Sequence, residues 1–229
     1  MIRTTISFFL AFLYVALGNA QDSCSKYYPF EEDVKFQVTT YDNKNKVSAI
    51  VDYKVKDVKA TDSGETATFF TSVKDKKEKV IMESQIGISC AGEVVSMDFT
   101  SLMSPQFMQQ YKDIDVKMSG TNLDLPNNLS VGQQLPDADL QMNMNMAGMS
   151  MNMNIHILNR KVVGEETVTT PAGTFDCSII TYDTELKMGM KQQNSSKQWM
   201  APGVGLVKQE DYNKKGKLMS SSLLTSFSK

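Results

Sequence analysis

Residues 140–155 read LQMNMNMAGMSMNMNI, and the way this stretch folds decides the rest. Met142, Met144 and Met146 are even-numbered, whereas Met149, Met151 and Met153 are odd-numbered. On one straight strand the two sets would point to opposite faces, because strand side chains alternate. The phase changes at Ala147-Gly148, where the chain can fold back. Pairing the arms about that dipeptide sets Met146 opposite Met149, Met144 opposite Met151 and Met142 opposite Met153. Leu140 then faces Ile155. All six methionines fall on one side, and Gln141, Asn143, Asn145, Ser150, Asn152 and Asn154 fall on the other. The pattern predicts a β-hairpin, although Ala is a poor first residue for a type I′ turn.

The methionine face has several possible uses. Burying a Met side chain gains roughly 1.5–3 kcal/mol, so the face is expected to pack on a core, line an apolar cavity or dock on something. Flexible thioethers adapt to varied apolar ligands, which favours the cavity among the binding roles. Thioethers also prefer Cu(I), and Met144, Met151 and Met153 are close enough in this register to converge on one ion. His156 does not help such a site. It is even-numbered in an arm whose methionines are odd-numbered, so it belongs to the polar face.

The flanking sequence reads as strands. Val34, Phe36 and Val38 alternate with polar residues up to Tyr41, and Val47 to Val55 resume the alternation after a DNKN break. Thr66–Val73, Val80–Cys90 and Val94–Phe99 follow. Turn signals recur at Asp62-Ser63-Gly64, Ala91-Gly92, Pro171-Ala172-Gly173, 202–205 and Asn213–Gly216. The spacing predicts an all-β, mainly antiparallel barrel or sandwich. One stretch departs from it. Ser104-Pro105 offers a helix cap and first turn, with Phe107, Met108 and Tyr111 on one face, so one short helix is expected to cover an end of the sheet. Leu125–Asp137 reads as a loop crossing the surface, and Lys74–Lys79 as a solvated hairpin tip.

Residues 1–20 have the pattern of a signal peptide: Arg3, an apolar run from Ile6 to Leu17, and a small-residue end at Ala20. The run is short for a bilayer span. Cleavage of these 20 from 229 residues leaves 209, one β-rich domain over 21–229, exported to the periplasm or the outside. The formal charge is −2, or −3 once Arg3 is removed, which argues against nucleic acid as a partner. Lipidation of Cys24 would need an apolar, small-residue approach, but Gln21-Asp22-Ser23 is polar.

Export permits disulfides, and three cysteines leave one over. Cys177 shares a strand face with Phe175 and Ile179 and reads as a core residue. Cys24 and Cys90 are therefore the expected pair. No two cysteines are close enough in sequence to suggest a metal site. Nor does any catalytic motif appear. There is one His, no Gly-x-Ser-x-Gly elbow, and Glu165 and Glu166 point to opposite faces. A non-enzymatic protein without a cofactor is expected.

Several stretches together carry a family likeness: CSKYYPF (24–30), NRKVVG (159–164), TTPAGTFDC (169–177), WMAPGVGLVK (199–208) and YNKKGKL (212–218). The chain resembles an exported bacterial family similar to domain of unknown function 3108, also catalogued as the TapB family and common in Bacteroidetes. The resemblance spans nearly the whole chain after residue 20. It implies a strongly curved sheet or half-open barrel, similar to periplasmic lipoprotein carriers that hold acyl chains in a concave face. It brings no catalytic residues. By analogy the partner is a lipid, another apolar ligand or an envelope protein, with Met142, Met144, Met146, Met149, Met151 and Met153 lining the cavity. Trp199 is expected to anchor the core beside its turn, with ligand stacking as the alternative that makes it a further cavity candidate. The oligomeric state is not legible.

Overall fold

The structure is a computed structural model that describes residues 24–98, 114–146 and 149–229. The expected signal peptide, the short helix expected at 104–111 and the Ala147-Gly148 tip lie outside these residues. Among the described residues there is no helix. Thirteen strands form one sheet: β1 (Lys35–Asp42), β2 (Val47–Thr61), β3 (Gly64–Asp75), β4 (Val80–Ala91), β5 (Val94–Asp98), β6 (Ile114–Gly120), β7 (Leu123–Pro126), β8 (Ala138–Met146), β9 (Met149–Thr170), β10 (Gly173–Met188), β11 (Met190–Ala201), β12 (Gly205–Asn213) and β13 (Leu218–Ser228). Their order is β6-β8-β9-β10-β11-β12-β13-β1-β2-β3-β4-β5-β7, and every pairing between them is antiparallel.

Among the described residues the sheet does not close, but its two edge strands are consecutive in the strand sequence. Gly120 ends β6 and Leu123 begins β7. Gly120 has φ 153°, and a Cβ there would sit 2.1 Å from the Asp139 carbonyl oxygen. Only glycine allows that approach. Curvature comes from bulges, where one strand carries an extra residue and bends. The ladders shift at Gln37/Val38, Ile179/Ile180, Thr181/Asp183 and Trp199/Met200, among other places. In consequence strands far apart in the order share one core. Val38, Val55, Phe69, Ile88 and Val95 pack in the same cluster as Val168, Ile179, Trp199, Val207 and Leu224.

A second cluster holds Tyr27, Leu125, Leu135, Val162, Ile180 and Met200. Ile179 and Ile180 are neighbours in sequence, yet both are buried, in different clusters; Trp199 and Met200 repeat this on β11. Alternating side chains occupy opposite faces, so the sheet is covered on both sides here. Two segments supply the second cover. The N-terminal stretch brings Tyr27, whose hydroxyl meets Ser178 Oγ at 3.2 Å. The 125–137 segment brings Leu125 and Leu135. This corrects its reading as a loop crossing the surface, since both leucines are buried. Arg160, itself buried, pins that segment: its Nη1 donates to the carbonyls of Asp124 (2.8 Å) and Pro136 (2.6 Å).

Cys24 and Cys90 form a disulfide, with Cα atoms 5.9 Å apart. Beside it Asn127 accepts from the Lys26 amide at 2.9 Å and donates to the Cys24 carbonyl at 2.7 Å. Cys177 is free and buried.

Three hairpin connections are built alike. In Asp42–Lys46, Asp75–Lys79 and Asn213–Lys217 the first residue's Oδ1 accepts the amides two and four residues on. The backbone closes from residue four to residue one, and residue four has positive φ: Asn45 57°, Glu78 63°, Gly216 72°. This is the Asx-turn chemistry expected of Asp and Asn in turns. In each, the residues whose amides are captured are lysines: Lys44 and Lys46, Lys77 and Lys79, Lys215 and Lys217.

Candidate apolar binding face

The β8–β9 ladder has the mirror register. Met142 pairs with Met153, Met144 with Met151, Met146 with Met149, and Leu140 with Ile155. The face continues onto neighbouring strands. Met118 of β6 pairs with Met142. On the other side Ile155 pairs with Leu186 and Asn154 with Lys187, so Met188 lies one step on, beside Met153. Met188 in turn pairs with Met190. Met118, Met142, Met153, Met188 and Met190 thus form one row across five strands.

This row emerges from the second core. The β10–β11 ladder runs without a bulge from Ser178 to Met188. Even-numbered residues from Ile180 to Met188 therefore share a face. Exposure rises along it. Ala138 and Leu140 are buried, Met142, Met144 and Met153 are half-buried, and Met151, Met188 and Met190 are 46%, 50% and 80% exposed. None of Met118, Met142, Met144, Met151, Met153, Met188 and Met190 belongs to either core cluster. The opposite side, with Asn143, Asn145 and Asn152, is exposed as well. The core use considered for this hairpin is therefore not how the described methionines sit. Grooves of about 500, 510 and 370 Å³ lie elsewhere, over β13–β1–β2–β3–β4, beside Tyr27 and Glu165, and beside Asn159 and Tyr212. No hairpin methionine lines any of the three. What the strands present is an open apolar face.

Trp199 is not brought to the methionines. It is odd-numbered on β11, so it lies on the face opposite Met190 and Met200. Its indole Nε1 donates to Glu166 Oε2 at 2.7 Å, and the Lys197 and Lys208 ammonium groups sit 4.5 and 4.3 Å from the ring centroid. Buried in the first cluster, it anchors the core. His156 pairs with Asp139 and Glu185, off the methionine face. Among the described residues no group of three His, Cys, Asp or Glu is placed to hold a metal.

Met118, Met188 and Met190 were not among the residues expected at this face. A signal for the last two existed. Lys187-Met188-Gly189-Met190-Lys191 mirrors about Gly189 as the main hairpin mirrors about Ala147-Gly148. Met118 had none, because β6 pairs with β8 across intervening chain.

The fold and the motif stretches point to one family, whose pattern matches residues 31–224. The chain belongs to the DUF3108-like family. Two solved structures share its architecture. One, from Bacteroides fragilis, is described as an exported protein with a YmcC-like fold; it is 25% identical, with TM-score 0.74, over 90% of this chain and all of that one. Another, from Parabacteroides distasonis and described as a lipoprotein, is 21% identical, with TM-score 0.74 over the same shares. No curated protein matches this DUF3108-like chain.

Proposed function

We propose that this DUF3108-like chain is an exported, non-enzymatic envelope protein that holds a hydrophobic ligand or an apolar envelope component on its methionine face. The sheet would then act as a half-open barrel in the manner of a lipoprotein carrier. The observation that carries the reading is the apolar face that leaves the second core, half-buried at Met142, Met144 and Met153 and exposed at Met151, Met188 and Met190. Completing the burial of each side chain returns on the order of 1 kcal/mol, so an apolar ligand covering several of them is held without any charged contact. The adaptable thioether suits ligands of varied shape. Export draws support from the Bacteroides fragilis relative.

Native mass spectrometry of protein purified from its own envelope tests the reading. The expected result is a co-purifying apolar small molecule, lost when Met144 and Met153 are both replaced by Asn. Protein that carries no such molecule, or a variant that retains it, sinks the proposal. A copper adduct instead would establish the competing Cu(I) site at Met144, Met151 and Met153.

A further inference from the structure

Hairpin order places four described connections at one end of the sheet: 43–46, 76–79, Gly189 and 214–217. The charge at this end is one-sided. The three Asx-type connections carry Lys44, Lys46, Lys76, Lys77, Lys79, Lys214, Lys215 and Lys217, all exposed, against three carboxylates, the turn-capping Asp42 and Asp75 and the exposed Glu78. Among the described residues none of the eight lysines makes a salt bridge. Lys187 and Lys191 flank Gly189, the latter paired with Glu185 at 2.8 Å. At the opposite end the connections 62–63, 92–93, 171–172 and 202–204 contain no lysine and include Asp62 and Glu93. In a chain of net charge −2, the hairpin connections are thus net positive at one end and hold no lysine at the other.

The same end carries the exposed apolar side chains. Val80, Ile81 and Met82 begin β4, Met151 is the third residue of β9, Met188 and Met190 flank the β10–β11 tip, and Met219 is the second residue of β13. Of the large hydrophobics exposed among the described residues, only Val131 and Val163 lie elsewhere. Apolar tips interleaved with lysines match the surface of an anionic bilayer. Thioethers and aliphatic groups enter the headgroup–acyl boundary, and ammonium groups stay at the phosphates. Two independent features, charge and apolarity, select the same end.

We propose that this end of the sheet docks on an anionic lipid bilayer, with the lysine-bearing turns on headgroup phosphates and Met188 and Met190 inserted between them. The turn geometry supports the role. Each Asx side chain fixes the backbone, so paired lysines are presented by a rigid support rather than a floppy tip. The inference does not require a ligand on the methionine face.

The test is co-sedimentation of the mature chain with phosphatidylcholine vesicles containing about a third phosphatidylglycerol, at low and high salt. Phosphatidylcholine vesicles and a soluble polyanion, heparin, serve as comparisons. Each lysine near such a surface contributes roughly fivefold in affinity, so Lys44→Gln, Lys77→Gln and Lys215→Gln together are expected to weaken binding about a hundredfold. Met188→Ser with Met190→Ser is expected to weaken it as well. All five positions are exposed, and a thermal melt confirms that each variant folds. Met190→Trp adds a second readout: its fluorescence is expected to shift to the blue on anionic vesicles. Absence of binding to anionic vesicles, or binding unaffected by the lysine variant, overturns the proposal. Binding that tracks heparin and ignores the methionine variant also overturns it, because the end would then be a polyanion site. Loss of the co-purifying ligand has no bearing on these outcomes.

Discussion

Met144 lies opposite Met151 across the β8–β9 ladder, yet Met151 is 46% exposed while Met144 is half-buried. Replacing both by Leu keeps volume and apolarity and is expected to cost under about 1.5 kcal/mol each in chemical denaturation. Met151→Asn alone is expected to stay within about 0.5 kcal/mol, because an amide there remains hydrated. Cu(I) titration separates the uses of the pair. Wild type and Leu pair are both expected to bind weakly; a tight wild-type site lost in the Leu pair would show that the thioethers are ligands.

The Cys24–Cys90 bond closes a loop of 66 residues. Reduction is expected to cost about 4 kcal/mol in the chain-entropy treatment, and peptide mapping without reduction should recover this pair. Asn127→Ala is expected to cost roughly 1–3 kcal/mol, because it strands the Lys26 amide and the Cys24 carbonyl next to the bridge. A melting temperature unchanged in Asn127→Ala would show that water replaces the amide.

Burial pushes the Tyr28 phenol up to about 12, against the opposing pull of Arg160, and pushes Tyr182 up to about 12 as well. Both phenols are neutral in either state below about pH 10. Between 10 and 12 the unfolded chain ionises first, so stability is expected to fall as pH rises through that window. Tyrosine absorbance followed together with denaturation checks it. Phenylalanine at both positions is expected to flatten the slope.

Burial, with Asp176 and Glu166 adding to it, pushes the Cys177 thiol up to about 11. The reactive species is the thiolate, so the folded protein is expected to resist iodoacetamide at pH 8 and to react only with denaturant present. Rapid labelling of native protein would place Cys177 in an opening of the sheet.

The hairpin was legible because its information is local. Six methionines in mirror phase fix a register through the period of two alone. Cys24–Cys90 was legible by elimination, since Phe175-Asp176-Cys177 sits in an alternating strand that claims its cysteine for the core. Trp199 was legible as a core anchor, and it is buried in the first cluster; its alternative place beside the methionines was open only because nothing local told the two faces of β11 apart.

The sequence by itself determined the class, the hairpins, the turn chemistry and the paired lysines, all of which depend on residues within a few positions of one another. Only the tertiary structure decided how exposed the described methionines are, that Tyr27, Leu125 and Leu135 cover a second face, and that four connections gather lysines and apolar tips at one end. These depend on strand order and on bulges that change which face a residue occupies. Residues paired across the sheet can stand far apart in the chain, and a single added residue such as Val163 reverses the phase of a strand without altering its composition.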